Sequence, residues 1–429
     1  MRTTATILFA MTYILLLAFP KIRAYIALAS AAIFVILGIL PLGQVLTAID
    51  WNVILMIAGT MGVVGFFIES KMPSLLADKI INWVPNVKWA IVALALFAGV
   101  ISAFVDNVAT VLMVAPVAVN IARKLKMSPV LSVIAIAISS NLQGAATLVG
   151  DTTSILLGGH ANLTFIDFFY LNGRLGIFWV VEAGALVSTI VLLMLFRKEK
   201  QLIETQTLTE VEDYFPTVLL VGIVVLLILN SFVPGEYKPD AIEGLMNGII
   251  CMSLFLIGLI RKLIRTGRAD SIFAAFKSID YDTILLLAGL FVVIGGITQA
   301  GLVKDISRIF VKVSGDNVFL IYTLIVWASV LFSAFIDNIP YVATMLPVVG
   351  EIANIMGIQS NLLYFGLLIG ATLGGNLTPI GASANITGLG ILRKEGYEVG
   401  AGTFMKVSVP FTLSAVITGY ILIWMIWSK

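Results

Sequence analysis

One seven-residue phrase, with a carboxylate inside it, is written twice in this chain, 231 residues apart, each time in the middle of an apolar stretch. Ser102-Ala103-Phe104-Val105-Asp106-Asn107-Val108 returns as Ser333-Ala334-Phe335-Ile336-Asp337-Asn338-Ile339. Across 102–117 and 333–348, 8 positions are identical without a gap, and Pro116 and Pro347 stand at the same distance beyond the two Asp residues. An acidic residue inside a membrane segment is expensive and marks function. Duplicated segments of this kind build many secondary transporters.

With 60% hydrophobic and 12% charged residues and a mean hydropathy of +1.07, the chain lies far outside the soluble range. Apolar runs near the length of a bilayer crossing recur throughout, so the fold class is an all-α polytopic membrane protein. Short alternating segments of a β-barrel are not visible. A net charge of +2 says nothing for nucleic acid, since the bases sit in short loops. One cysteine, Cys251, and one histidine, His160, exclude a disulfide framework and a thiolate or imidazole metal centre. Thr3–Phe19 reads as a first membrane helix rather than a cleaved leader, because no small-x-small site ends it.

The predicted crossings are 3–19, 24–40, 51–70, 129–160, 174–196, 216–233, 241–260, 281–300, 360–392 and 404–427. Segments 129–160 and 360–392 are too long and glycine-rich for straight helices and are predicted to be broken. The stretches 89–122 and 317–353, with Asp-Asn at their centres, fit re-entrant hairpins, tolerated at depth only against protein or a cavity. Segments 73–84 and 302–313 read as amphipathic interfacial helices. With the N- and C-termini outside, 19 of the 26 basic residues, Lys21, Arg23, Arg268 and Lys277 among them, fall in cytoplasmic loops. Five crossings per half make the second half inverted. The predicted division is a first repeat over 1–196, a cytoplasmic linker over 197–215 and a second repeat over 216–429. Ile49-Asp50 with Ile279-Asp280, Ala58-Gly59 with Ala288-Gly289 and Gly65 with Gly295 extend the match.

Each half has a second polar break. Gly144-Ala145-Ala146-Thr147-Leu148-Val149-Gly150-Asp151-Thr152-Thr153-Ser154 answers to Gly375-Asn376-Leu377-Thr378-Pro379-Ile380-Gly381-Ala382-Ser383-Ala384-Asn385. Glycine permits unwound backbone, hydroxyls and amides replace its lost hydrogen bonds, and half-helix ends make ion sites. Asn107 and Asn338 are predicted to cap the outgoing hairpin helices, with Pro340 in the first turn. At the centre of a membrane helix an Asp costs about 2.5–3.5 kcal/mol, so a cation, a proton or a facing donor must compensate. The candidate substrate and ion site is Asp106, Asn107, Thr110, Thr147, Asp151, Thr152, Ser154, Asp337, Asn338, Asn376, Thr378, Ser383 and Asn385. Na+ is the candidate metal, at Asp106, Asn107, Asp337 and Asn338; no other cofactor is expected. The plainer reading makes both Asp residues structural caps of buried turns. Asp151, opposite Ala382, is either a ligand or proton carrier or neither. Glu182 is either a proton carrier or an interfacial ion-pair partner. Glu69 reads as a boundary residue, Glu243 and Glu351 as solvated, His160 as a helix-end cap.

At these four breaks, Ser102–Pro116, Gly144–Asp151, Ser333–Pro347 and Gly374–Asn385, the chain resembles the ion-transporter superfamily. The branch is that of arsenite-efflux permeases, D-type sodium–proton antiporters and the melanosomal P protein, with P-protein-like sequences most similar. The resemblance implies a dimerising scaffold domain and a transport domain that carries both hairpins and both broken helices across the bilayer as an elevator. Members commonly have Gly-Asp-Pro-Pro-Asn where this chain has Gly150-Asp151-Thr152-Thr153-Ser154. The expected function is an ion-coupled (H+ or Na+) secondary transporter in the cell membrane, not an enzyme. Its cargo is an ion or small neutral solute or oxyanion, as in sodium–proton antiport or arsenite efflux. A sodium- or proton-coupled carrier of di- or tricarboxylates is the alternative, and a passive anion channel a remote one. An intramembrane aspartyl protease is disfavoured: Leu148-Val149 precede Gly150-Asp151, so Gly-x-Gly-Asp is missing.

Overall fold

A computed structural model describes residues 1–202, 207–234, 243–267 and 270–428. Arg268, the opening residues of the 241–260 crossing and part of the 197–215 linker lie outside these. Eighteen principal helices fall nine to each half. The first half has α1 (Arg2–Ala18), α2 (Arg23–Ile36), α3 (Trp51–Glu69), α4 (Met72–Trp83), α5 (Val87–Ser102), α6 (Asn107–Lys124), α7 (Val130–Gly144), α8 (Thr152–His160) and α9 (Ile177–Leu195). The second has α10 (Phe215–Ser231), α11 (Met246–Thr266), α12 (Tyr281–Gln299), α13 (Leu302–Ser314), α14 (Val318–Ser333), α15 (Asn338–Met356), α16 (Ser360–Gly374), α17 (Ser383–Lys394) and α18 (Ala401–Trp427). Short helices Val45–Ala48 and Asp270–Phe276 precede α3 and α12, and a two-residue ribbon, Tyr170–Leu171 with Arg174–Leu175, is the sole sheet among the described residues.

Both predicted hairpins are helix pairs, α5 with α6 and α14 with α15, and both long segments are broken, α7 from α8 and α16 from α17. The predicted amphipathic segments are α4 and α13. Among the described residues six helices are long and apolar enough to cross a membrane, or eight if two sharply bent pairs each count once. The ten predicted crossings exceed this because breaks leave pieces such as α7 and α16 too short to count alone. One bent pair is α1 with α2, turned by 109°.

Side chains start these helices at matched places. Asp50 and Asp280 accept from Val53 N and Thr283 N, and Asn86 and Asn317 from Trp89 N and Leu320 N. Each satisfies an amide that the first helical turn leaves orphaned. At the hairpins the cap is the Asp, not the predicted Asn. Asp106 accepts from Val108 N at 2.9 Å and Ala109 N at 3.1 Å, and Asp337 from Ile339 N at 3.1 Å. A carboxylate is the stronger acceptor at the positive helix end, which leaves the neighbouring asparagine free to turn inward.

The halves interlock. Helix α3 packs on α11 and, at the equivalent place, α12 on α2. The contacts exchange large for small: the Phe34 ring sits where a Cβ on Gly296 would be, and the Phe66 ring does so at Gly258. Each half's second broken arm lodges in the other half, α8 against α15 and α16, α17 against α6 and α7. The linker is docked: Gln201 and Glu199 carbonyls take the amides of Val87 and Lys88, and Asp78 takes Thr209.

Candidate functional site

The hairpin turns and helix breaks hold one another. Thr147 Oγ1 donates to the carbonyl of Ala103, and Thr378 Oγ1 to that of Ala334. A Cβ on Gly150 would lie 2.6 Å from Gly144 O and 2.8 Å from the carbonyl oxygens of Ser102 and Ala103. On Gly381 it would meet Gly375 O at 2.6 Å and Ser333 and Ala334 oxygens at 2.8 Å. The threonines therefore satisfy carbonyls that the end of a helix leaves without partners, and the glycines let two backbones touch. Ser154 does similar work on Gly144 O at 3.2 Å, and Asn385 on Gly375 O and Thr378 O, both at 3.1 Å. Thr110 returns its hydroxyl to Asp106 O at 3.0 Å. Thr147→Val is expected to lower the melting temperature, since a buried acceptor left unpaired costs about 1–3 kcal/mol. The substrate dependence of flux should stay unchanged; a shift in it would make Thr147 a ligand.

Amides join the two halves at the centre. Asn107 Nδ2 donates to Asn141 Oδ1 at 2.9 Å and reaches Asp151 Oδ1 at 3.5 Å. Asn141 Nδ2 donates to Thr372 O at 2.7 Å and Asn376 Oδ1 at 3.0 Å, while Asn376 Nδ2 donates to Ile138 O at 2.8 Å. Asp151 accepts from Thr152 N at 2.8 Å and Thr153 Oγ1 at 2.7 Å, and Thr153 also meets Thr372 Oγ1 at 2.9 Å. All of these side chains are buried. Such a network fixes geometry because each unmade bond would be costly in a low dielectric.

Beside this network lies a cavity of about 320 Å³. Asp106, Asn107, Asp151 and Thr152 line it from the first half, with Asn338 and Ser383 from the second. Asp280, Thr283 and Lys277 complete its wall. Asp151 lies within electrostatic reach of both Asp106 and Asp337, and Asp106 within that of Asp280. Asp337 itself does not line the cavity. It forms an ion pair with Arg23, which the sequence reading counted among the cytoplasmic loop charges and which opens α2. A second cavity, of about 670 Å³, is walled by counterparts of the first: Phe291 for Met61, Ile294 for Val64, Gly295 for Gly65, Ala343 for Leu112 and Asp50 for Asp280. His160 joins it, its ring edge-on to Tyr364. A cleft of about 420 Å³ between α3, α10 and α11 lies away from the breaks and is crossed by ion pairs of Asp213 with Arg261 and Arg265, and of Glu69 with Lys262.

The family model described as "Citrate transporter" (CitMHS) matches residues 13–370. The chain belongs to the CitMHS citrate transporter family. It is thereby a secondary transporter and a polytopic membrane protein, and the match spans the first three of the four breaks from which the resemblance was read. An uncharacterized transporter of Mycobacterium tuberculosis is 31% identical over 441 residues, 99% of this chain and 98% of its own length. The P protein of Sus scrofa is 26% identical over 506 residues, and the match spans 97% of this chain but 58% of that protein. Among solved structures, the YdaH transporter of Alcanivorax borkumensis has a TM-score of 0.61 at 14% identity, covering 89% of this chain and 87% of that one. MtrF of Neisseria gonorrhoeae has a TM-score of 0.56 at 16% identity, covering 89% and 83%. These two share the fold with this CitMHS chain.

Proposed function

We propose that this CitMHS chain is a cation-coupled carrier in which Asp106 and Asp151, with Asp280 at the wall, hold Na+ or H+ during transport. The observation that carries the reading is the open oxygen of Asp106. Its Oδ1 caps α6, Oδ2 has no hydrogen-bond partner among the described residues, and the residue lines a cavity with two more carboxylates. A carboxylate in that position calls for a cation or a proton. Asn107, Asn338, Thr152 and Ser383 supply neutral oxygens and amides suited to the rest of the coordination or to cargo.

Movement follows the elevator reading: two inverted halves, with the hairpins and broken helices as the moving body and the α2, α3, α11 and α12 quartet in the scaffold. The two cavities, built from counterpart residues, support alternating access. With the N-terminus outside, Lys277 is cytoplasmic and the site faces the cytoplasm in this state. A homodimer in the cell membrane, joined through the scaffold, accords with the superfamily resemblance.

The cargo reading is a cation exchanged against protons, or a small neutral solute or oxyanion moved with the cation. A tricarboxylate is the second reading, favoured by the family's description. At about 4 Å and an effective dielectric near 20, a carboxylate repels an anion by about 4 kcal/mol, so citrate would enter after cations have neutralised the wall. Purified protein in proteoliposomes, given labelled Na+, arsenite, chloride or citrate with and without a pH gradient, tests both. Saturable uptake that an ion gradient drives uphill supports the carrier reading. Flux of any of these species that no Na+ or proton gradient can concentrate would refute it.

A further inference from the structure

The two hairpin aspartates are repeat equivalents, yet of the two only Asp337 is ion-paired among the described residues. Asp337 has both oxygens engaged: Oδ1 accepts from Ile339 N at 3.1 Å, and Oδ2 takes Nη1 of Arg23. Arg23 Nη2 also lies 3.5 Å from Thr283 Oγ1, on the scaffold helix α12. Helix α1 holds the same first turn, with Tyr13 Oη donating to Pro340 O at 2.7 Å. Asp106 has no such partner; no ion pair among the described residues involves it.

The repeat shows what stands at the place of Arg23 in the other half. Gly59 packs against the backbone of Cys251, and its counterpart Gly289 against that of Ala27. Ala27 therefore answers to Cys251, as Phe34 answers to Gly258. Four residues earlier, Arg23 answers to Asn247, a neutral side chain that accepts from Asn230 Nδ2 at 2.8 Å. One hairpin tip meets a tethered guanidinium; at the counterpart place the other half has a neutral amide, and Lys277, which lines the same cavity as Asp106, makes no ion pair with it among the described residues.

We infer that Arg23 is a built-in cation that occupies the second of two equivalent carboxylate sites, so that of the hairpin aspartates Asp106 alone takes up an exchangeable cation. This rests on the cation-coupled reading above. Arginine suits the task because its guanidinium stays charged at every working pH and cannot leave. Arg23 thus sets coupling stoichiometry without touching the cargo.

The test counts cations per chain on purified protein in nanodiscs, by equilibrium binding of labelled Na+ and, in parallel, by proton uptake on an acid step. Arg23→Gln frees Asp337, and the sum of Na+ and protons bound should rise by one per chain. Arg23→Lys should keep the wild-type count, and the neutral pair Arg23→Gln/Asp337→Asn should return to it. Asp337→Asn alone, which retains a capping side chain and so should fold, should also leave the count unchanged. A fall by one in Asp337→Asn would show that Asp337 binds an exchangeable cation despite Arg23, and overturns the inference. So would an unchanged count in Arg23→Gln. Asp106→Asn separates this from the broader reading: if it leaves the count intact, the Asp106 site fails while the Arg23→Gln comparison still decides the role of Arg23.

Discussion

Asp106→Asn is expected to weaken the cation dependence of transport by about 10- to 100-fold while the protein still folds and inserts. The folding half of this expectation follows from the cap. Asn is as good an N-cap as Asp, so the amides of Val108 and Ala109 keep an acceptor. The functional half follows from the free oxygen. A hydrogen bond to a charged group is worth about 1.5–3 kcal/mol, and about 1.4 kcal/mol is tenfold in an equilibrium constant, so losing the charge moves half-saturation by about one to two orders of magnitude. Initial rates against Na+ concentration, at several fixed pH values, give the number. Asp151 and Asp280 remain in the wall, which is why binding weakens instead of vanishing. A half-saturation within twofold of wild type, with uphill flux intact, would remove Asp106 from the site and leave it a helix cap alone.

What the sequence made legible and what it concealed divide along one physical line. Both hairpin turns and both helix breaks were readable because a carboxylate, glycines and hydroxyls inside apolar runs have no cheap bland explanation, and each occurs twice. Asn141 was not readable by that route: its counterpart is Thr372, whose carbonyl and hydroxyl do the work, so the two positions share no residue type. The run Ser139-Ser140-Asn141 just before Gly144 was the available signal. Arg23 and Asp280 looked like loop charges at helix starts, and nothing local in a sequence says that a helix start 314 residues from Asp337 will reach it. The displacement of the cap from Asn107 to Asp106 has a similar cause. Both residue types cap helices well, the carboxylate is the stronger acceptor at the helix end, and the partner that Asn107 finds in Asn141 is a tertiary fact.

Gly150→Ala and Gly381→Ala are expected to be strongly destabilising single-methyl changes. Neither glycine has a positive φ, so alanine is conformationally permitted and the obstacle is space alone. At each position the new carbon would stand 2.6–2.8 Å from three carbonyl oxygens, which belong to backbone and cannot rotate away. Relief requires the hairpin turn to separate from the helix break. That separation also lengthens the bond from Thr147 to Ala103 O, or from Thr378 to Ala334 O, so overpacking and a lost buried hydrogen bond act together. Overpacking alone costs about 1–3 kcal/mol, and an unpaired buried carbonyl about 1–3 kcal/mol more. Their sum, about 2–6 kcal/mol, is a large share of the about 5–15 kcal/mol that holds a typical protein folded. Gly402→Ala is the control, a helical glycine with nothing within 4 Å of its added carbon, where alanine should be neutral or mildly stabilising. Size-exclusion profiles and thermal melts of the detergent-solubilised variants measure the difference. Gly150→Ala and Gly381→Ala should lose most of the monodisperse peak or melt well below Gly402→Ala. If both melted with the wild type, the turn and the break would not be in the close contact on which the whole geometry of the site depends.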